Sequence, residues 1–174
     1  MSQRVRAELV NLLPRLRRFG YGLTGSLDDG DDLVQSACER ALTRLSQFEP
    51  GTRLDSWMFR IMQNLWIDRR RAQRARPEVG VDPSALEALA VGDAEREMDR
   101  RLSMATVRRA VAELSDDHRA VLLLVCVEGL SYKEAASVLG VPMGTVMSRL
   151  ARARLAVGNA LEGAAPAAGS TVKG

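Results

Sequence analysis

Residues 130–150, Leu130-Ser131-Tyr132-Lys133-Glu134-Ala135-Ala136-Ser137-Val138-Leu139-Gly140-Val141-Pro142-Met143-Gly144-Thr145-Val146-Met147-Ser148-Arg149-Leu150, read as two short helices joined by a tight turn. Ser131, with Glu134 three residues on, is a capping box. The hydroxyl accepts from the amide ahead of it, and the carboxylate accepts from the cap's own amide. Ala135, Ala136 and Leu139 follow at helical spacing, and Gly140 stands where a turn with positive φ is needed. Pro142 suits the start of a new helix, where its missing N–H costs nothing. Small residues at the crossing and a glycine in the turn make a helix-turn-helix pattern. Val146 and Leu150 anchor the second helix, leaving Met143, Thr145, Met147, Ser148, Arg149, Ala151 and Arg152 outward. Second helices of this kind lie in the DNA major groove and read base edges from their N-terminal half. The competing interpretation is an αα-hairpin with a solvated basic face.

Working outward, Leu102, Ala105, Val107, Ala110, Val111 and Leu114 mark a helix over 99–114. Ser115-Asp116-Asp117 caps another that runs through Glu128 and stops at Gly129. The N-terminal block is helical too. Val5, Leu9, Leu12, Leu13 and Leu16 recur at helical spacing, and the segment is expected to fray at Gly20, Gly22 and Gly25. An acidic turn over 26–32 feeds a helix over 31–45. Its aspartates suit the positive end of the helix dipole, and the residue order of a calcium loop is missing. Pro50-Gly51 punctuates a loop over 46–53. A helix over 54–75 follows, with Leu54, Trp57, Met58, Ile61 and Leu65 on one stripe that extends to Asp68, and with Phe59 and Trp66 off it. Trp57 is expected in the core. Arg69, Arg70, Arg71, Arg74 and Arg76 exceed what a helix dipole needs and suit a phosphate track.

Charge falls into blocks: net +5 over 1–76, −6 over 77–99 and +4 over 100–174, totalling the chain's +3. Two basic blocks thus flank an acidic connector whose Pro, Gly and small residues read as a linker, with one short helix over 84–90. The tail over 163–174 reads as disordered. With 46% apolar residues the 174-residue chain can bury a core, and with 4% aromatics it does not read as a β-sandwich or barrel. The expected fold is all-α: two small helical domains, 1–76 and 100–162, joined by a flexible acidic linker, the C-terminal one containing the helix-turn-helix. Cys38 and Cys126 lack any metal-ligand spacing and sit on apolar faces, so both are expected as buried, inert thiols. The start has no signal-peptide core, and the longest apolar run, Ala120 to Val127, is too short to span a bilayer. The expectation is a soluble cytoplasmic protein with no membrane insertion. His118 has no nucleophile beside it in sequence, and no P-loop or GxGxxG occurs, so neither catalysis nor a cofactor or metal is expected.

With these pieces in this order, the sequence resembles the bacterial extracytoplasmic-function (ECF) sigma factors. The resemblance covers about residues 8–76 and 100–160. It rests on Asp31-Asp32-Leu33-Val34-Gln35 with Arg40-Ala41-Leu42, and on Phe48, Pro50, Gly51 and Thr52 ahead of Trp57-Met58-Phe59-Arg60-Ile61. Asn64 with Asp68, Arg70 and Arg71, and the stretch over 130–154, complete it. It implies that the helix holding Asp32, Leu33, Gln35 and Arg40 docks on the clamp helices of core RNA polymerase. It implies that the 46–53 loop and the next helix hold the unpaired minus-ten strand. Phe48, Thr52 and Asn64 would edge a base pocket, and Arg53, Arg69, Arg70, Arg71 and Arg74 would follow the backbone. The second block would read the minus-thirty-five element through Lys133, Thr145, Met147, Ser148, Arg149 and Arg152, and touch the polymerase flap. The connector would run through the polymerase's nucleic-acid channels, and an anti-sigma factor would hold the protein inactive. A conventional helix-turn-helix regulator and an interaction scaffold are the alternatives from other classes.

Overall fold

The computed structural model describes residues 2–75 and 94–164, and among them all regular structure is helical. The expected connector up to residue 93 with its short helix, Arg76, the Leu102 side chain and the tail from 165 lie outside the described residues. Helices α1 (Ser2–Thr24), α2 (Leu27–Thr43) and α3 (Leu54–Arg74) pack on one another as an N-terminal block. Helices α4 (Ala94–Glu113), α5 (Asp116–Leu122), α6 (Tyr132–Leu139) and α7 (Met143–Ala164) form the second block, with α7 packed on the other three. Helix α4 therefore begins five residues ahead of its expected start, and α7 continues into the expected tail. A wide π turn, Leu123–Val127, extends α5, and the Glu128 amide donates to the Leu123 carbonyl at 2.9 Å.

The glycines near the end of α1 do not fray it. Gly20 and Gly22 are helical, and the helix ends at Gly25, whose φ is 73°. A Cβ on Gly20 would stand 3.0 Å from the Gly30 carbonyl, and one on Gly30 would stand 2.9 Å from the Tyr21 amide. The two glycines let the backbones of α1 and α2 touch. That close approach offsets the roughly 1 kcal/mol of helix propensity each glycine forfeits. Gly30 is accordingly inside α2, which starts earlier than expected: Ser26 caps it, its hydroxyl accepting from the Asp29 amide at 3.3 Å.

Helix α3 also differs from its expected single stripe. Phe59, Met62 and Trp66 are buried alongside Met58 and Ile61, whereas Trp57 is half-buried. The reason is two-sided packing, with α1 and α2 against one side and α6 against another. Phe59 meets Phe19 edge-on at 4.9 Å between ring centres, a favoured aromatic geometry. In the second block the caps form as their residues dictate. The Ser115 hydroxyl accepts from the His118 amide, both halves of the Ser131–Glu134 box are made, and Gly140 takes a φ of 66°. Val146, Leu150 and Ala153 are the buried residues of α7, while Leu155 is exposed. Positions i, i+4 and i+7 share one side of a helix, and 155 falls off it.

Candidate nucleic-acid interface

The loop between α2 and α3 is a built turn. A short 3₁₀ segment, Leu45–Gln47, leads into Phe48, whose ring lies 5.2 Å from Trp57. Gly51 takes a φ of 91°, and the Thr52 hydroxyl donates to the Glu49 carbonyl at 2.7 Å. Phe48, Pro50, Gly51 and Thr52 form one wall of a groove of about 600 Å³, and Arg4, Val5 and Glu8 of α1 form the other. Asn64 is exposed but does not line this groove. It stands ten residues beyond the start of α3, about 15 Å along the helix axis. Phe48 and Thr52 therefore come together as expected, and α1 supplies the wall that Asn64 was expected to supply.

Arg53 at the N-cap of α3 and several arginines within the helix are engaged. Arg53 grips Asp55 through two hydrogen bonds, 3.0 and 2.7 Å, and also pairs with Glu134 of α6. Arg15 of α1 donates to the same Asp55 carboxylate at 2.9 Å. Burial alone would raise the Asp55 pKa, but the hydrogen bonds from Arg53 and Arg15 outweigh it and hold the group at about 2. Arg69 turns back to α2, donating to Ser36 Oγ at 2.9 Å and the Asp32 carbonyl at 3.3 Å, which departs from the expected phosphate track. Arg70 and Arg74 both reach Oδ2 of Asp116, at 3.1 and 3.2 Å, and Arg70 also lies over the Trp66 ring. Arg71 is exposed.

On α2, Asp32 and Gln35 are exposed, and Arg40 is half-buried beside a shallow cleft shared with Ser36, Glu39, Thr43, Arg44 and Leu65. Leu33 is fully buried in the core of its own domain, so it is not a surface contact as expected. An apolar residue on an amphipathic helix reads alike whether it serves an inner core or an outer seam.

On the second block, Met143, Met147, Ser148, Ala151 and Arg152 of α7 and Lys133 of α6 are exposed. Thr145 is half-buried, its carbonyl accepting from the Ser148 hydroxyl at 3.1 Å. Arg149 is half-buried and pairs with Asp117 at 3.3 Å. The two cysteines differ. Burial pushes the half-buried Cys38 thiol up, whereas Cys126 is exposed, 3.6 Å from Arg154, so its expected burial does not hold.

Comparisons with known proteins follow the same two blocks. Residues 9–63 match the family described as the sigma2 domain of PhyR, and residues 104–157 match sigma-70, region 4. Over 154 residues the chain is 34% identical to the ECF RNA polymerase sigma factor EcfG of Rhodopseudomonas palustris, covering 88% of this chain and 83% of that protein. The chain belongs to the ECF RNA polymerase sigma factors. Among solved structures, the sigma factor RpoE of Bartonella quintana, in complex with the anti-sigma factor NepR, superposes with a TM-score of 0.77 at 28% identity. That match covers 90% of this chain and 96% of the other. CnrH, in complex with the cytosolic domain of CnrY, gives 0.68 at 25% identity over 94% of this chain and 90% of that one.

In this sigma factor the two matched blocks are docked on each other. Glu128, at the end of the π turn, has a fully buried carboxylate that accepts from Arg15 Nε at 3.1 Å and from Arg18 at 2.8 and 3.0 Å. Arg15 also donates to its backbone carbonyl. Arg119 reaches across to the Leu23 carbonyl at 2.8 Å. The Leu123 side chain fills the notch left by Gly22, where a Cβ would come within 2.7 Å of it. Arg15, Arg18, Asp116 and Glu128 were not singled out from sequence as interface residues. Each has a sufficient local explanation as a cap, a dipole partner or a solvated helix charge, whereas their partners across the interface stand 113 and 110 positions away for the Glu128 pairs and 46 and 42 for the Asp116 pairs.

Proposed function

We propose that this ECF sigma factor binds core RNA polymerase and directs it to two-part promoters. The exposed α2 residues Asp32 and Gln35, with Arg40, meet the polymerase. The 46–53 loop and α3, through Phe48, Thr52, Arg53, Asn64, Arg70, Arg71 and Arg74, hold the opened minus-ten strand. Helix α7, through Thr145, Met147, Ser148, Arg149 and Arg152, with Lys133, reads the minus-thirty-five duplex. The domain limits 1–76 and 100–162, with an acidic connector between, belong to the same proposal. The chain itself catalyses no reaction, works in the cytoplasm and needs no cofactor. Among the described residues no helix is long and apolar enough to cross a membrane, and no cluster of metal-ligating side chains occurs. An anti-sigma protein holds it inactive, supported by the structural relative solved with the anti-sigma factor NepR.

One observation carries this reading: a single chain presents both sigma blocks in order, with an outward basic face on the second helix of the helix-turn-helix. Run-off transcription from a library of randomised two-part promoters, with core polymerase and this chain, tests it. Transcripts that need both proteins are expected. Tight duplex binding by the chain alone, with no transcript from any template, would make it a conventional regulator instead.

A further inference from the structure

Two kinds of contact join the blocks. One is a latch: Leu123 seated in the Gly22 notch, and the buried Glu128 carboxylate held by Arg15 and Arg18. The other lies along α3. Arg53 pairs with Glu134, Arg60 donates to the Ser137 carbonyl and hydroxyl at 2.7 and 2.8 Å, and Arg70 and Arg74 converge on one oxygen of Asp116. At 100° per residue Arg60, Arg70 and Arg74 fall within an arc of about 80° on a single helix face, and Arg53 stands at the N-cap of the same helix. Their partners across the interface are two carboxylates, a hydroxyl and a carbonyl, the oxygen acceptors a phosphodiester strand would offer.

We propose that the C-terminal block masks the minus-ten face of this sigma factor from within, Asp116 and Glu134 occupying the arginines that a DNA strand would use. This rests on the strand-binding reading of α3 given above. The second block thus competes with DNA for one set of arginines on the N-terminal block: these hold either the chain's own carboxylates or the promoter strand, not both. The mask is selective. Met147, Ser148 and Arg152 of α7 stay exposed, as do Asp32 and Gln35 of α2, so the duplex-reading face and the polymerase face remain open while the strand face is closed. The masking pairs sit at the edge of the interface, where Arg53, Arg74 and Glu134 keep side-chain exposures of 52%, 69% and 30%. Such pairs are individually weak. The latch therefore sets the closed geometry, and the mask yields once the blocks part.

The test uses the full chain and a labelled twelve-nucleotide single strand of mixed sequence, read by fluorescence anisotropy at low salt, where backbone binding is sequence-independent. Asp116→Asn with Glu134→Gln removes two masking charges while keeping shape and a side chain able to complete the Ser131 cap. A gain in affinity of up to about tenfold is expected. A second pair of cysteines works in the opposite direction. A Cβ on Gly22 would lie 3.4 Å from Leu123 Cγ, so Gly22→Cys with Leu123→Cys falls within bridging range. In a background with Cys38→Ser and Cys126→Ser, the oxidised chain is expected to bind the strand at least about tenfold more weakly than the same chain after reduction. Equal affinities within both comparisons would overturn the mask. Arg70→Ala with Arg74→Ala, added to the charge-neutralised chain, separates the two levels. If strand binding does not fall, the arginines are not the strand site and both proposals for this face fail. If it falls while open and closed chains bind alike, the strand site stands and the masking alone is wrong.

Discussion

Replacing Glu128 by alanine removes a fully buried carboxylate of the interface and leaves the arginines that held it. The side chain accepts three hydrogen bonds from Arg15 and Arg18, while the bond from Arg15 to the backbone carbonyl of residue 128 survives the change. Stripping one partner from a buried pair costs about 3–5 kcal/mol, because the remaining charge is left dry. Here the arginine side chains are 31% and 52% exposed, so they regain water when the carboxylate goes. The expected cost to docking is therefore about 2–3 kcal/mol, roughly a 30- to 150-fold shift. Glu128→Gln, keeping one acceptor and the volume, should lose about half of that. Both tryptophans, Trp57 and Trp66, lie in the N-terminal block, so their fluorescence in a urea titration follows that block, whereas far-ultraviolet circular dichroism follows the helices of both. Docked blocks unfold together and the two curves coincide. In Glu128→Ala the dichroism curve should split, the second block melting first. Coincident curves with a midpoint shift worth less than about 0.5 kcal/mol would show that this carboxylate does not hold the blocks together.

Asp55 carries a second testable charge. Its pKa of about 2 in the folded chain lies below the ordinary 3.8, so its stabilising contribution is complete above pH 3.8 and is lost as pH falls through 2. A urea midpoint series from pH 6 to pH 2 should lose about 2 kcal/mol through this group, and Asp55→Asn should start lower by that amount and flatten the slope. Gly30→Ala drives a methyl to within 2.9 Å of the Tyr21 amide and should cost about 1–3 kcal/mol in thermal or urea unfolding despite alanine's better helix propensity. An unchanged midpoint would mean that α1 and α2 do not touch there. Arg152→Ala should lose about 1–3 kcal/mol at one position of the minus-thirty-five element, read as a relaxed preference in a promoter-library selection, with core-polymerase binding unaltered.

What sequence made legible and what it hid divide along a physical line. The helix-turn-helix is written in local chemistry: the Ser131–Glu134 box, the left-handed Gly140 and the Val146–Leu150 pair each bond or pack within a few residues. Such signals need no knowledge of the rest of the chain. Gly20, Gly22 and Gly30 are the reverse case. Local reasoning counts a glycine in a helix as a weakness. Here each gains its place from a neighbour distant in sequence, a backbone at Gly20 and Gly30 and the Leu123 side chain at Gly22. Phe59 and Trp66 lie off the stripe read from sequence and are buried all the same, because a stripe assumes one buried face and α3 has partners on two sides. Leu33 was misassigned since period alone cannot distinguish a seam for another protein from a core for its own domain.

The charges were the hardest to read, and for a specific reason. Asp116 is fully explained as a first-turn aspartate of α5, and Glu134 as the return half of a capping box. In the folded chain both do that local work and a second task at once, Asp116 taking Arg70 and Arg74, Glu134 taking Arg53. A carboxylate at a helix N-terminus already sits in favourable potential, whether or not an arginine arrives. That makes these two side chains suited to a reversible contact. When the arginines leave for phosphate, neither carboxylate is stranded in a dry interior: both are already partly exposed, Glu134 still accepts from the Ser131 amide, and Asp116 still stands 3.9 Å from Arg119 of its own helix. Glu128 is different: its carboxylate is buried and its partners come from the other block, so parting the blocks must carry it into water. The interface thus joins one anchored, expensive contact to several cheap ones, and a protein or polymerase surface that opens this sigma factor has to act on the latch beside Gly22 and Glu128, since displacing the α3 pairs alone leaves the blocks docked.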